Sequence, residues 1–95
     1  MTITKSGNIV TIEGNIKSIS DYQTIKSELD AIKEMHKDIV LKITDSISIT
    51  SSVIGYFNKL VLKDSINIEM YVGDSQLMEL LDELNLASIF KAKRL

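Results

Sequence analysis

The sequence predicts an α/β domain, a mixed β-sheet of four to five strands covered by about three helices. Three observations carry that prediction. Short runs such as Val10-Thr11-Ile12 and Ile66 to Val72 alternate apolar and polar residues with the period of a strand. Between them, apolar residues fall three and four apart, the period of an amphipathic helix. The alternation of strand and helix then makes parallel neighbours joined by right-handed crossovers.

Taken in order, Ile3 and then Val10 and Ile12 predict two short strands joined across Ser6-Gly7-Asn8, with Gly14 and Asn15 closing the second. Ser20 and Gln23 match a capping box, and Tyr22, Ile25, Leu29 and Ile32 continue as one helix over roughly 20–36. Ile39 to Leu41, continued by Ile43, is a nearly unbroken apolar run, the pattern of a central strand buried on both faces. After Ile47 and Ile49 the spacing turns helical at Val53, Ile54, Phe57, Leu60 and Val61, so strand gives way to helix at Thr50, Ser51 and Ser52. The strand Ile66 to Val72 follows. Gly73-Asp74 then caps a helix carrying Leu77, Leu80, Leu81 and Leu84, and Leu86, Ile89 and Phe90 pack back on the core before an optional last strand.

The 95 residues hold no proline, low-complexity tract or linker-like cluster, which predicts a single domain over 1–95. An apolar share of 44% beside a charged share of 25% is that of a chain able to bury a core. The formal net charge of -2 argues against a nucleic-acid partner. No apolar stretch approaches the ~20 residues that span a bilayer, and Met1 to Gly7 does not read as a signal peptide. The absence of cysteine removes disulfides and thiolate nucleophiles and fits a cytoplasmic location.

Enzymatic chemistry finds little to work with. His36 is the one histidine, expected on the surface near the end of the first helix, so one chain cannot supply a metal with two imidazoles. Ser51, His36 and an aspartate could be drawn as a triad, but no G-x-S-x-G elbow accompanies them. The four glycines, at 7, 14, 55 and 73, form neither a dinucleotide fingerprint nor a P-loop. No catalytic residue, metal or cofactor is expected.

What remains is Thr50-Ser51-Ser52-Val53-Ile54-Gly55, three hydroxyls at a strand-to-helix boundary. The first N–H groups of a helix lack internal partners and its dipole is positive there, which suits either a capping hydroxyl, at about 1 kcal/mol over alanine, or an added phosphate. Spacing alone leaves both open.

The same segment, with Ile39-Val40-Leu41-Lys42-Ile43 before it, resembles the signature of the STAS family, the fold of bacterial anti-sigma factor antagonists, in which a buried strand leads to Asp-Ser-Ser-Gly-Leu-Gly. Gly14-Asn15-Ile16, the strand Ile66 to Val72 and the stretch Leu80 to Phe90 resemble the family's opening strand end, fourth strand and closing helix, so nearly the whole chain is covered. The resemblance implies phosphorylation of Ser51 by a partner kinase, with Ser52 as second choice. It also implies that Gly55 is the motif glycine permitting close approach to the sheet. Thr50 stands where the family's acid usually is, and Val53 where its first glycine is. The implied function is a protein-interaction switch in signal transduction and transcription regulation. Its partner would be an anti-sigma factor or serine kinase of the histidine-kinase-like ATPase type, released when Ser51 is phosphorylated. The alternative is an unmodified scaffold or subunit of a larger complex, such as a lipid-transport ATPase. Thr50, Ser51, Ser52, Ile54 and Tyr56 are the expected contact residues, Tyr56 having core packing as its alternative. Asn58 and Lys59 would add exposed area, with Val53, Phe57, Leu60 and Val61 in the core. Lys91, Lys93 and Arg94 read as a solvated basic tail.

Overall fold

A computed structural model describes residues 1–95. The elements run β1 (Thr2–Ser6), β2 (Ile9–Glu13), α1 (Ile19–Lys33), β3 (Asp38–Ile43), α2 (Ser51–Leu62), β4 (Asn67–Val72), α3 (Ser75–Glu83) and β5 (Ala92–Arg94). They form one five-stranded sheet in the order β1-β2-β3-β4-β5. β1 and β2 pair antiparallel, and every later neighbour is parallel. Because each parallel strand lies beside its predecessor in the same direction, successive right-handed crossovers leave all three helices on one face.

The burial pattern carries the signature of that one-sided cover. In β3, Ile39, Leu41 and Ile43 are buried while Val40 and Lys42 are half-buried, and β4 repeats this with Ile68, Met70 and Val72 against Glu69 and Tyr71. The expectation that the central strand is buried on both faces is therefore corrected. An apolar run contains Val40 by chance of alternation with no helix behind it, and Lys42 in the same run already marks the wet side.

The core gathers 22 buried apolar residues, including Val10, Ile12, Ile25, Leu29, Phe57 and Phe90. Phe57 of α2 meets Phe90 edge to face, 5.9 Å between centroids at 87°. Such a pair adds about 1 kcal/mol to burial. It ties the closing segment to the helix at the chain's centre.

Two local expectations shift. Helix α1 begins with Ser18, whose side chain accepts from the N–H of Asp21 while the Asp21 carboxylate accepts from the N–H of Ser18. Aspartate replaces glutamine in this box, two residues ahead of the predicted one, because it accepts from Lys17 as well. The optional last strand forms, so the basic tail keeps its side chains exposed without being free: Ala92–Arg94 adds β5 to the edge of β4, and the Arg94 guanidinium donates to the Gly73 carbonyl at 2.9 Å.

Candidate functional site

At the C-terminal ends of β2, β3 and β4 the connecting loops meet. Asp45 accepts from the N–H of Gly14 at 2.7 Å. Ser46, the one buried polar residue, accepts from the N–H of Ile16 and donates to the Ser48 carbonyl, and the N–H of Ile47 donates to Asn15. With Ile16 and Ile49 buried beneath them, these bonds fix the loop that delivers the chain into α2. Asp45 and Ser46 are not marked by the sequence pattern, and Asn15 is marked only as the end of a strand. Short polar residues on either side of a strand end are their only linear signal, and their partners lie about thirty residues away.

Thr50 is the N-cap of α2, its hydroxyl accepting from the N–H of Val53. One hydroxyl of the three is thereby explained as a cap. Ser51 and Ser52 occupy the first turn, both exposed. No acid lies in that turn, whereas α1 has Asp21 there and α3 has Asp74 as its cap. The positive end of α2 thus keeps its full attraction for an anion.

Around these serines are features the linear pattern did not reveal. Ile19, the first residue of α1, is 76% exposed. A shallow cleft between the starts of α1 and α2 is lined by Lys17, Ser18, Ile19, Tyr22, Thr50 and Ser52. Ser52 faces this cleft, and Ser51 is not part of its wall.

The remaining expected contact residues separate. Ile54 is half-buried against the core. Tyr56 takes its core-packing alternative and is only 4% exposed, which removes it from the contact surface. Its hydroxyl donates to Asp30 of α1 at 2.6 Å, a bond between elements that no local pattern announces. Asn58 is half-buried, and exposed Lys59 pairs with Asp64. Val61, expected in the core, is half-buried against it. Gly55 is corrected as well: a side chain there would meet nothing within 4 Å, so it makes no close approach to the sheet. That approach is made by Gly73, where a methyl group would fall 1.9 Å from the Thr44 carbonyl oxygen.

Tyr56 and Asp30 belong to a chain of charges, Lys26, Asp30, Lys33, Asp64 and Lys59, that clamps α1 to α2. Desolvation alone would raise the Asp30 pKa. Hydrogen bonds from Lys26 and Tyr56 and the charges of Lys26 and Lys33 outweigh it and bring the carboxyl down to about 2. Burial, then the neighbouring carboxylate, pushes the Tyr56 phenol above its ordinary range.

A carboxylate whose folded pKa lies below the usual 3.8 gives stability that is complete above that value and lost as pH falls through the folded one. Melting temperatures are therefore expected to fall between about pH 4 and pH 2, with Asp30 accounting for about 1 kcal/mol once solvent screening is allowed for. Tyr56→Phe should shrink that acid loss. An identical profile in the variant means the Tyr56–Asp30 bond is not its source.

No family model and no curated relative matches the chain. Among solved structures, the NMR structure of the protein TM1081 superposes with a TM-score of 0.68 at 17% identity, covering 97% of this chain and 78% of that one. The likeness is one of fold. It runs over nearly the whole chain but brings no site residue with it.

Proposed function

We propose that this chain is a protein-interaction switch of the STAS type, acting in the cytoplasm as an anti-sigma factor antagonist does, without catalysis of its own. The observation that carries it is the division of labour among the three hydroxyls. Thr50 caps α2, so Ser51 and Ser52 are not needed for capping and stand exposed on a fixed loop-helix junction. Exposed Ile19, which shares a cleft with Ser52, gives a macromolecular partner apolar area to cover.

The two departures from the family motif have different weights. Val53 is fully buried, so its side chain alters the core and leaves the outer face as it was. Thr50 brings no charge, which removes a like-charge neighbour from a phosphate on Ser51. Such a phosphate would add about -1.5 to -2 charges at the positive end of α2, where the fold accommodates it. A partner surface shaped for a neutral hydroxyl would have to desolvate it, and binding would end. The partner on this reading is an anti-sigma factor or serine kinase of the histidine-kinase-like ATPase type.

The test is phosphorylation by the protein that co-purifies with the native chain. Incubated with ATP and Mg²⁺, it is expected to add one phosphate, localised by mass spectrometry to Ser51 and absent from Ser51→Ala. A phosphate on Ser52 in its place moves the switch by one residue, and a chain that stays unmodified, or is modified at neither serine, overturns it.

A further inference from the structure

Strand β1 forms one edge of the sheet and pairs only with β2, which leaves its outer side open. Residues of an antiparallel strand aim their N–H and C=O groups alternately toward the neighbour and away from it. The β1–β2 turn has two residues, Gly7 and Asn8, between the paired Ser6 and Ile9. Ser6 and Ile9 are therefore the hydrogen-bonded pair that closes the hairpin. Thr2, Thr4 and Ser6 face β2, and Ile3 and Lys5 present their backbone groups outward.

Edges of this kind are usually blunted by proline, bulges or an unpaired lysine. Here there is no proline, and the register with β2 runs unbroken from Thr2 to Ser6. The single lysine, Lys5, is drawn back onto Glu28 of α1 at 2.6 Å. The charge that would repel a second edge is thus neutralised within the chain. The opposite edge differs, since β5 has only three residues and two of them are Lys93 and Arg94.

We propose that β1 pairs with β1 of a second copy, antiparallel about a two-fold axis at Thr4, so that two five-stranded sheets become one. The strand is self-complementary in that register. Ile3 of each copy lies opposite Lys5 of the other, and these are the residues with outward N–H and C=O groups, giving two hydrogen bonds per pair. Thr4 faces Thr4, and Thr2 faces Ser6. Only hydroxyls meet on the open face, and no two like charges stand directly opposite. This surface lies at the sheet edge and does not depend on Ser51 being a switch.

The experiment is sedimentation of the full chain from about 10 µM to about 1 mM, the range in which a small interface associates. The mass is expected to rise from 10.6 kDa toward twice that value. Hydrogen exchange of the Ile3 and Lys5 amides should slow with concentration while that of Thr4, already bonded to β2, does not change. Thr4→Glu and Thr4→Lys each set like charges across the axis and are expected to be monomeric, and their equimolar mixture to dimerise. Lys5→Pro removes one outward donor without touching the β2 ladder and is also expected to stay monomeric, its fold checked by circular dichroism. A native chain that keeps its monomer mass throughout, a dimer that leaves the Ile3 and Lys5 amides unprotected, or a mixture that fails to restore the dimer overturns the proposal.

Discussion

Gly73→Ala is expected to cost the domain about 3 kcal/mol or more, a fall of some 10–20 °C in melting temperature. The added methyl group would lie 1.9 Å from the carbonyl oxygen of Thr44 and 2.8 Å from its carbon. Both are backbone atoms, so no rotamer change can relieve the overlap. The turn itself is held in place, because the N–H of Gly73 donates to the Ile43 carbonyl at 2.8 Å and its carbonyl accepts from Arg94. Moving it would break the end of the β3–β4 ladder and the anchorage of β5 together. Gly55→Ala is the matched control. It lies in a helix with open space around it, and alanine there should raise stability by roughly 0.5–1 kcal/mol. Urea unfolding of the two variants checks the pair, and equal effects at both positions would sink this account of Gly73.

The contrast between these glycines shows what a linear pattern can and cannot carry. The strand and helix order was legible because each element buries one face, and periodicity records that directly in Ile25, Leu29 and Ile32 or in Ile68, Met70 and Val72. Closeness between loops distant in sequence leaves no such record. Gly73 and Thr44 are as ordinary in sequence as Gly55, and only the sheet brings them together. The same holds for Tyr56, whose helical spacing fits either face and whose burial is made possible by Asp30, twenty-six residues earlier. Lys93 and Arg94 read as a solvated tail because charge predicts exposure, yet an edge strand can pair through its backbone and keep such side chains wet. At the candidate site, the hydroxyl cluster and its place at a helix start were visible in advance. Which hydroxyl caps was not, since Thr50, Ser51 and Ser52 are all competent caps and the choice rests on backbone geometry, with Thr50 extended at φ -80° and ψ 157°.

Ser51→Asp should leave the fold intact while lowering affinity for the co-purifying partner about a hundredfold, equivalent to roughly 3 kcal/mol. The two halves of that expectation come from one location. Ser51 is the first residue of α2 and is exposed, so a carboxylate there meets the positive end of the helix, gains a few tenths of a kcal/mol from it and displaces no packed group. The melting temperature should stay level or rise slightly. In a complex the same charge loses water unless the partner supplies a cation, and an interface that accepts an unmodified serine has no reason to supply one. Ser51→Ala separates charge from contact, because it removes a hydroxyl that does not cap the helix and should bind within a few-fold of the native chain. Titration calorimetry of native, Ser51→Ala and Ser51→Asp chains against the same partner is the measurement. If Ser51→Asp binds as tightly as the native chain, the serine is not a switch, and α2 docks, if it docks at all, as a constitutive subunit's would.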